Sequence, residues 1–337
     1  MSITKILVEI SMAVLGVVVI FLVGCLVLGI FLKVRDAITR PNNKESQVRL
    51  YTPLMEILKS LSRDQTKSST QSKTTRVLVL LAWFFSTAFA IAFLPIGQYS
   101  LAPNVFGQYQ VLAVFSLLMV YPVGIMVLAA LTSRKSEIRN LKFLSEDFLS
   151  SFITFLVTML SLVIVYQGGL NFPSLPTIQE LMEYQQVEML NIIGVSIPSL
   201  FAILAPLSMI SFFSIIPFTF RPMHFGNESL IRKWTPISTF TGKSRALVKI
   251  LEVFRFMALV ILFIDFYFAG GIISANEIVN LAALGVMVIF VALLLSFVKT
   301  KKRFWVLDRK VIGFIKVHNL LAGTSFIILL VLVMIYN

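Results

Sequence analysis

The 337-residue chain is poor in charge: only 13% of its residues are Asp, Glu, Lys or Arg, against about one quarter in soluble domains. It also has a single cysteine and two histidines. One thiol excludes an internal disulfide, and Cys25 lies inside an apolar run where an inert buried thiol is expected. His224 and His318 stand apart, without neighbouring ligand residues, and no HExxH, paired CxxC or DxxxD pattern occurs. The chemistry of a membrane metalloprotease or a prenyl transferase is therefore missing.

What the sequence has is apolar length. The hydrophobic fraction is 58%, mean hydropathy is +0.91, and there are 30 Phe and 13 Met. An α-helix needs about 20 apolar residues to cross a bilayer. Candidate spans run over Ile6–Leu32, Val77–Ile96, Val111–Leu131, Phe148–Tyr166, Ile192–Phe218, Ala246–Ala269, Ile278–Val298 and Leu320–Tyr336. The first is too long for a signal peptide and is followed directly by Lys33 and Arg35, so it reads as an anchor. The expected fold is an all-α polytopic membrane protein, a single membrane domain over 1–337 with about eight transmembrane helices.

The formal net charge of +13 suggests nucleic acid until its distribution is read. Nearly all of the 29 Lys and Arg lie in Lys33–Arg76, Arg134–Lys142, Arg221–Lys249 and Lys299–Lys316. The alternate loops, Gly97–Gln110, Gln167–Asn191 and Gly270–Glu277, contain none, and hold Glu180, Glu183, Glu188 and Glu277. By the positive-inside rule the basic loops face the cytoplasm of a cell membrane and both termini lie outside. The charge is a topology signal, and nucleic acid is not an expected partner.

Two cytoplasmic loops carry most of the polar sequence, 34–76 and 219–245. In the first, the stretch 52–63 reads as an amphipathic surface helix. Thr52 suits an N-cap, Pro53 the first helical position, and Leu54, Ile57, Leu58 and Leu61 recur at helical spacing opposite Glu56, Lys59 and Arg63. Such a helix can lie on the membrane surface, under a partner, or on its own bundle. In the second loop Gly242-Lys243-Ser244 imitates the end of a phosphate-binding loop, but Ile237 stands where the first Gly belongs. Asn227-Glu228-Ser229 is a glycosylation sequon on the cytoplasmic side, and is discounted.

Charge inside a span is costly and so informative. The sixth span carries Glu252, Arg255 and Asp265. The first two are three residues apart and can pair along one helix face, either as a self-neutralised structural pair or as a polar step in an ion path. Pro198, Pro206 and Pro217 predict kinks in the fifth span.

Three stretches give the chain a resemblance to the membrane-anchor subunit of complex I, known as subunit 1, and its counterpart in group 4 membrane-bound [NiFe]-hydrogenases. Tyr51–Asp64 is similar to the family's Q-P-L-x-D-x-x-K-L-x-x-K-E surface helix, with Glu56 for the Asp and Lys59 on the Lys. Phe93-Leu94-Pro95-Ile96-Gly97 matches I-P-F-G at the end of the second span. Pro222–Leu247 has the length of the family's acidic loop, with Thr239-Phe240-Thr241-Gly242 in place of E-Y-S-G and Ala246-Leu247 on its A-L; Glu252 then falls on the Glu of A-E-Y. The departures are acidic. The loop carboxylates fall on Asn227, Ser229, Ile231 and Thr239, with Glu228 displaced nearby, and those of spans three and four fall near Met119 and Ile153. In the family these carboxylates line a polar funnel between the redox site and the ion-pumping subunits. Neutral side chains cannot exchange protons, so here the funnel is expected to be impaired or rerouted, and the family's quinone site is placed in doubt.

The resemblance implies a non-catalytic subunit that docks a hydrophilic electron-transfer arm. The chain itself would bind no metal or other cofactor; Fe–S clusters, and NiFe or a quinone, would belong to partner subunits. It implies antiporter-like membrane partners, docking through Glu56, Lys59, Arg63, Arg221, Thr239, Gly242, Lys243 and Arg245, and coupling through Glu252, Arg255, Asp265 and Glu228. The alternative is a stand-alone ion or solute transporter, for which internal repeats and paired broken helices are expected. The orientation is open to a direct check. On a Cys25→Ser background, cysteine at Asn171 or Asn276 is expected to react with an impermeant thiol reagent outside intact cells, and cysteine at Ser68 or Ser238 to stay protected. Labelling at Ser68 from outside would reverse the topology.

Overall fold

The apolar runs fold as helices, the form in which a segment satisfies its own backbone hydrogen bonds within lipid. The structure is a computed structural model and describes residues 3–39, 48–63, 73–95, 109–131, 135–168, 175–187, 189–192, 195–198, 201–219, 240, 242–272, 277–300 and 317–336. In chain order come α1 (Ile3–Thr39), α2 (Thr52–Leu61), α3 (Lys73–Phe93), α4 (Gln110–Leu131), α5 (Lys135–Gln167) and α6 (Ile178–Val187). Strands β1 (Met189–Ile192) and β2 (Val195–Pro198) follow, then α7 (Phe201–Leu204), α8 (Pro206–Thr219), α9 (Gly242–Tyr267), α10 (Glu277–Thr300) and α11 (Val317–Tyr336). Among the described residues α1, α3, α4, α5, α10 and α11 are long and apolar enough to cross a membrane. Helix α8 is apolar but shorter, and α9 is set apart by its charges. The chain is an all-α polytopic membrane protein, apart from one small hairpin among the described residues.

That hairpin corrects the fifth expected span. β1 and β2 pair antiparallel, with Ile192 opposite Val195, and the helix that follows is broken at Ala205 between α7 and α8. β-branched Ile192, Val195 and Ile197 suit a strand, and Pro206 pre-sets the first turn of α8.

Helix α9 is the centre of the bundle. It packs on α1, α2, α3, α6, α7, α8 and α10, and is buried over nearly its whole length. Phenylalanines fill the space around it: Phe212 of α8 meets Phe155 of α5 and Phe263, Phe266 and Tyr267 of α9 at ring distances of 5.7–6.1 Å. The outward faces of α10 and α11 stay apolar and exposed, at Ile278, Phe290 and Phe297 and at Ile327 and Met334.

Cross-helix contacts define two ends of the bundle. At one, α2 is fastened to the first half of α9. At the other, Gln110 Nε2 donates to the Phe93 carbonyl and its Oε1 accepts from Ile178 N–H, which ties α3, α4 and α6 together. Helix α6 lies in an acidic loop that the hydropathy pattern left unassigned. It starts with a reciprocal capping box: Glu180 N–H donates to Thr177 Oγ1 at 3.2 Å and Thr177 N–H to Glu180 Oε2 at 2.7 Å.

Helix α2 exists as expected but is turned and shorter. Thr52 is its first residue rather than its cap, and its Oγ1 accepts from Arg49 N–H. The buried face is Pro53, Ile57 and Ser60, while Leu58 and Leu61 of the expected stripe are exposed beside Met55. Rotation is set by Glu56, which points inward to a partner. A capping contribution of about 1 kcal/mol predicts that Thr177→Ala raises amide exchange across α6 roughly fivefold. Hydrogen–deuterium exchange of the full chain checks this.

Candidate functional site

The charged residues of α9 form a ladder that starts at α2 and runs into the bundle. Its first rung is the ion pair between Lys249 Nζ and Glu56 Oε2, 2.8 Å apart, and the same ammonium lies 3.4 Å from the Glu56 carbonyl. Lys249 is buried and Glu56 partly so. A lysine drawn in by the packing of α9 thereby recruits a carboxylate 193 residues away. Glu56 is thus taken up within the chain, while Lys59, Arg63 and Lys243 remain exposed at the same end. Gly242 is buried at the start of α9, with φ +56°, and Arg245 is half-buried.

The second rung is Glu252, three residues and nearly one turn further in. Its Oε1 accepts a hydrogen bond of 2.6 Å from the Tyr121 hydroxyl of α4. Arg255 completes the group: its guanidinium carbon lies 4.5 Å from the centre of the Tyr121 ring, a cation–π contact in a dry setting. The expected Glu252–Arg255 pair therefore meets on a shared tyrosine. All three are buried. Arg255 Nε and Nη2 have no hydrogen-bond partner among the described residues. Trp83 of α3 backs the site at 4.7 Å from Tyr121 and 6.0 Å from Phe240. Trp83 fits because residue 124 on α4 is glycine: a methyl group there would run into the indole ring.

Asp265 lies ten residues beyond Arg255, near the other end of α9 and apart from this group. Expectations at Arg221, Glu228 and Thr239 fall outside the described residues, so the structure bears only on the α2 and α9 members of the set. Tyr121 and Lys249 were not singled out from the sequence. Tyr121 stands in an apolar run and reads as core, and Lys249 reads as the end of a basic loop.

A further polar group joins α5, α8 and α11. Ser150 Oγ lies 2.7 Å from His318 Nε2 and 2.6 Å from Asn319 Oδ1, and Ser211 Oγ donates to the His318 carbonyl at 2.6 Å. One turn along α8, Ser208 Oγ is 2.8 Å from the Tyr267 hydroxyl. Ser150, Thr154 and Thr158 repeat at four-residue spacing on α5, all buried. Such hydroxyls hold membrane helices together where lipid offers no hydrophobic drive. His318 is therefore part of a packed polar contact. Met119, where the resemblance would have placed a carboxylate, is buried, and Ile153, the other such position, is half-buried.

Among the described residues no group of three or more His, Cys, Asp or Glu is placed to hold a metal ion. What the site offers is fixed charge in a water-poor interior, tied to a surface helix.

No protein-family model matches the chain, and no curated protein matches it in sequence. Among solved structures, a chain of the membrane-bound sulfane sulfur reductase (MBS), an archaeal respiratory membrane complex, is similar in fold. The TM-score is 0.70 and the identity 18%, covering 95% of this chain and 99% of that one. The likeness extends over nearly the full length of both chains.

The Tyr121-centred group makes a stability prediction. Glu252→Gln leaves the Arg255 guanidinium buried without a carboxylate and is expected to cost about 3–5 kcal/mol. Adding Arg255→Met removes the stranded charge and should recover most of that loss. Thermal unfolding of the purified variants measures both; equal losses in single and double variants would mean that the two charges do not act together.

Proposed function

We propose that this chain is a non-catalytic membrane-anchor subunit of a multi-subunit respiratory-type complex, seating a hydrophilic electron-transfer arm on its basic end. The observation that carries the reading is the Glu56–Lys249 clamp. It fixes α2 against the central helix while Lys59, Arg63 and Lys243 remain exposed on one end of a bundle whose fold is shared with a chain of a respiratory membrane complex. A fixed cationic platform on rigid helices suits a soluble partner with an acidic face. In this reading the basic end faces the cytoplasm, other membrane subunits cover part of the exposed apolar helices, and Fe–S clusters and any NiFe centre or quinone chemistry belong to the partners. The Glu252–Tyr121–Arg255 group lies directly beneath the platform and is the candidate for relaying events in the arm to ion-moving neighbours.

Exposed ion pairs contribute only about 0.2–1 kcal/mol each, so single changes are expected to be silent. Reversing Lys59, Arg63, Lys243 and Arg245 together should release the soluble subunits at moderate salt, with the membrane subunits still co-purifying. Affinity purification through a tag on this chain, followed by subunit counting, gives the answer. Full retention of the soluble subunits would argue against docking at this end and in favour of a transporter.

A further inference from the structure

Asp265 stands outside the ladder on which the proposed function rests. Its side chain is fully buried, and neither Oδ1 nor Oδ2 has a hydrogen-bond partner among the described residues. The carboxyl lies against the turn that ends α9, where Ala269, Gly270 and Gly271 have φ of 50°, 64° and 75°. A Cβ built on Gly270 would come within 3.2 Å of Oδ1 and collide with Met182 of α6, so glycine is what lets carboxyl, turn and thioether close on one another. Above it, Gln185 of α6 acts as a latch. Its Nε2 donates to the Asp265 carbonyl at 3.2 Å and its Oε1 accepts from Phe201 N–H at 3.1 Å, so one side chain joins α6 to α9 and α7.

Among the described residues the groups facing this site are anionic or neutral. From α6, Glu180 and Glu183 point outward, and Tyr184 donates to the Val165 carbonyl of α5. Tyr166 of α5 stacks edgewise on Tyr184, Tyr267 of α9 is bonded to Ser208, and Glu277 at the start of α10 is exposed. None of the loops 97–110, 167–191 and 270–277 contains Lys or Arg. On α9 itself the nearest cation, Arg255, is roughly 15 Å away along the axis. A carboxylate enclosed by Met182 and a glycine turn, with neither oxygen bonded among the described residues, is the costly form of this side chain. Protonation removes that charge without a further partner.

We propose that Asp265 is a proton-binding site at the acidic end of the bundle, and that α6 is the element that responds to its charge. With the proton on, α6 seats over the carboxyl and Gln185 latches. When the proton passes to water, the carboxylate requires hydration, and the Gln185 bonds to α9 and α7 give way so that α6 lifts. The seated form is therefore expected at low pH and is lost as pH rises.

The full chain in lipid, with isotope-labelled aspartate, tests this by infrared spectroscopy and amide exchange. At neutral pH a protonated-carboxyl C=O band is expected in the native chain and absent from Asp265→Asn. On alkaline titration the band should fade as exchange across Ile178–Val187, corrected for its intrinsic pH dependence, rises roughly tenfold. In Asp265→Asn, whose neutral amide imitates the acid, α6 exchange should stay flat. Should that variant fail to fold, co-titration of the band and the α6 amides in the native chain carries the test. Absence of a protonated aspartate band at neutral pH overturns the site. A band that titrates without any change in α6 overturns the coupling.

Discussion

Burying charge where water is scarce is the constraint around which this protein is arranged. Helix α9 brings Lys249, Glu252, Arg255 and Asp265 into the middle of a bundle made otherwise of apolar helices. Three of them are answered by groups from other elements. Lys249 is met by Glu56 from α2, while Glu252 and Arg255 converge on one tyrosine from α4, which gives its hydroxyl to the first and its ring face to the second. Each answer fixes a second element, so the surface helix and α4 take their positions from α9 rather than from lipid.

The rest of the bundle meets the same constraint with weaker polar groups. Ser150, Thr154, Thr158, Ser208 and Ser211 supply hydroxyls along α5 and α8 that bond backbone carbonyls or one another, together with His318 and Tyr267. Phenylalanine rings fill the remaining volume without asking for partners. The result is a core graded along its length: ionic near the basic end, hydroxylic alongside α8, and with one solitary carboxyl at the far end.

Much of the architecture was legible because hydropathy is a local property. The runs that became α1, α3, α4, α5, α10 and α11 could be read directly, as could the charges inside α9. The fifth span was not, since Pro198 and Pro206 signalled interruption but not that β-branched residues before them would pair as a hairpin. Helix α6 left a readable trace in Thr177-Ile178-Gln179-Glu180, but its low hydropathy hid it among loop residues. The site was half legible. Glu252 and Arg255 stood out as charges within a span, whereas Tyr121 looked like ordinary core and Glu56 like free surface. Their roles come from partners 131 and 193 residues away in sequence, a separation across which no periodicity operates.

The contrast between α9 and its neighbours also bears on how the chain enters the membrane. A helix such as α10 or α11 is apolar enough to partition into lipid alone. Charged residues at a helix centre oppose insertion by about 2.5–3.5 kcal/mol each on the translocon scale. The lysine, glutamate and arginine of α9 have their counter-groups on α2 and α4, both made before it. Its insertion is thereby favoured as part of a group, with the earlier helices already waiting at the translocon, and the order of synthesis becomes a working part of the fold.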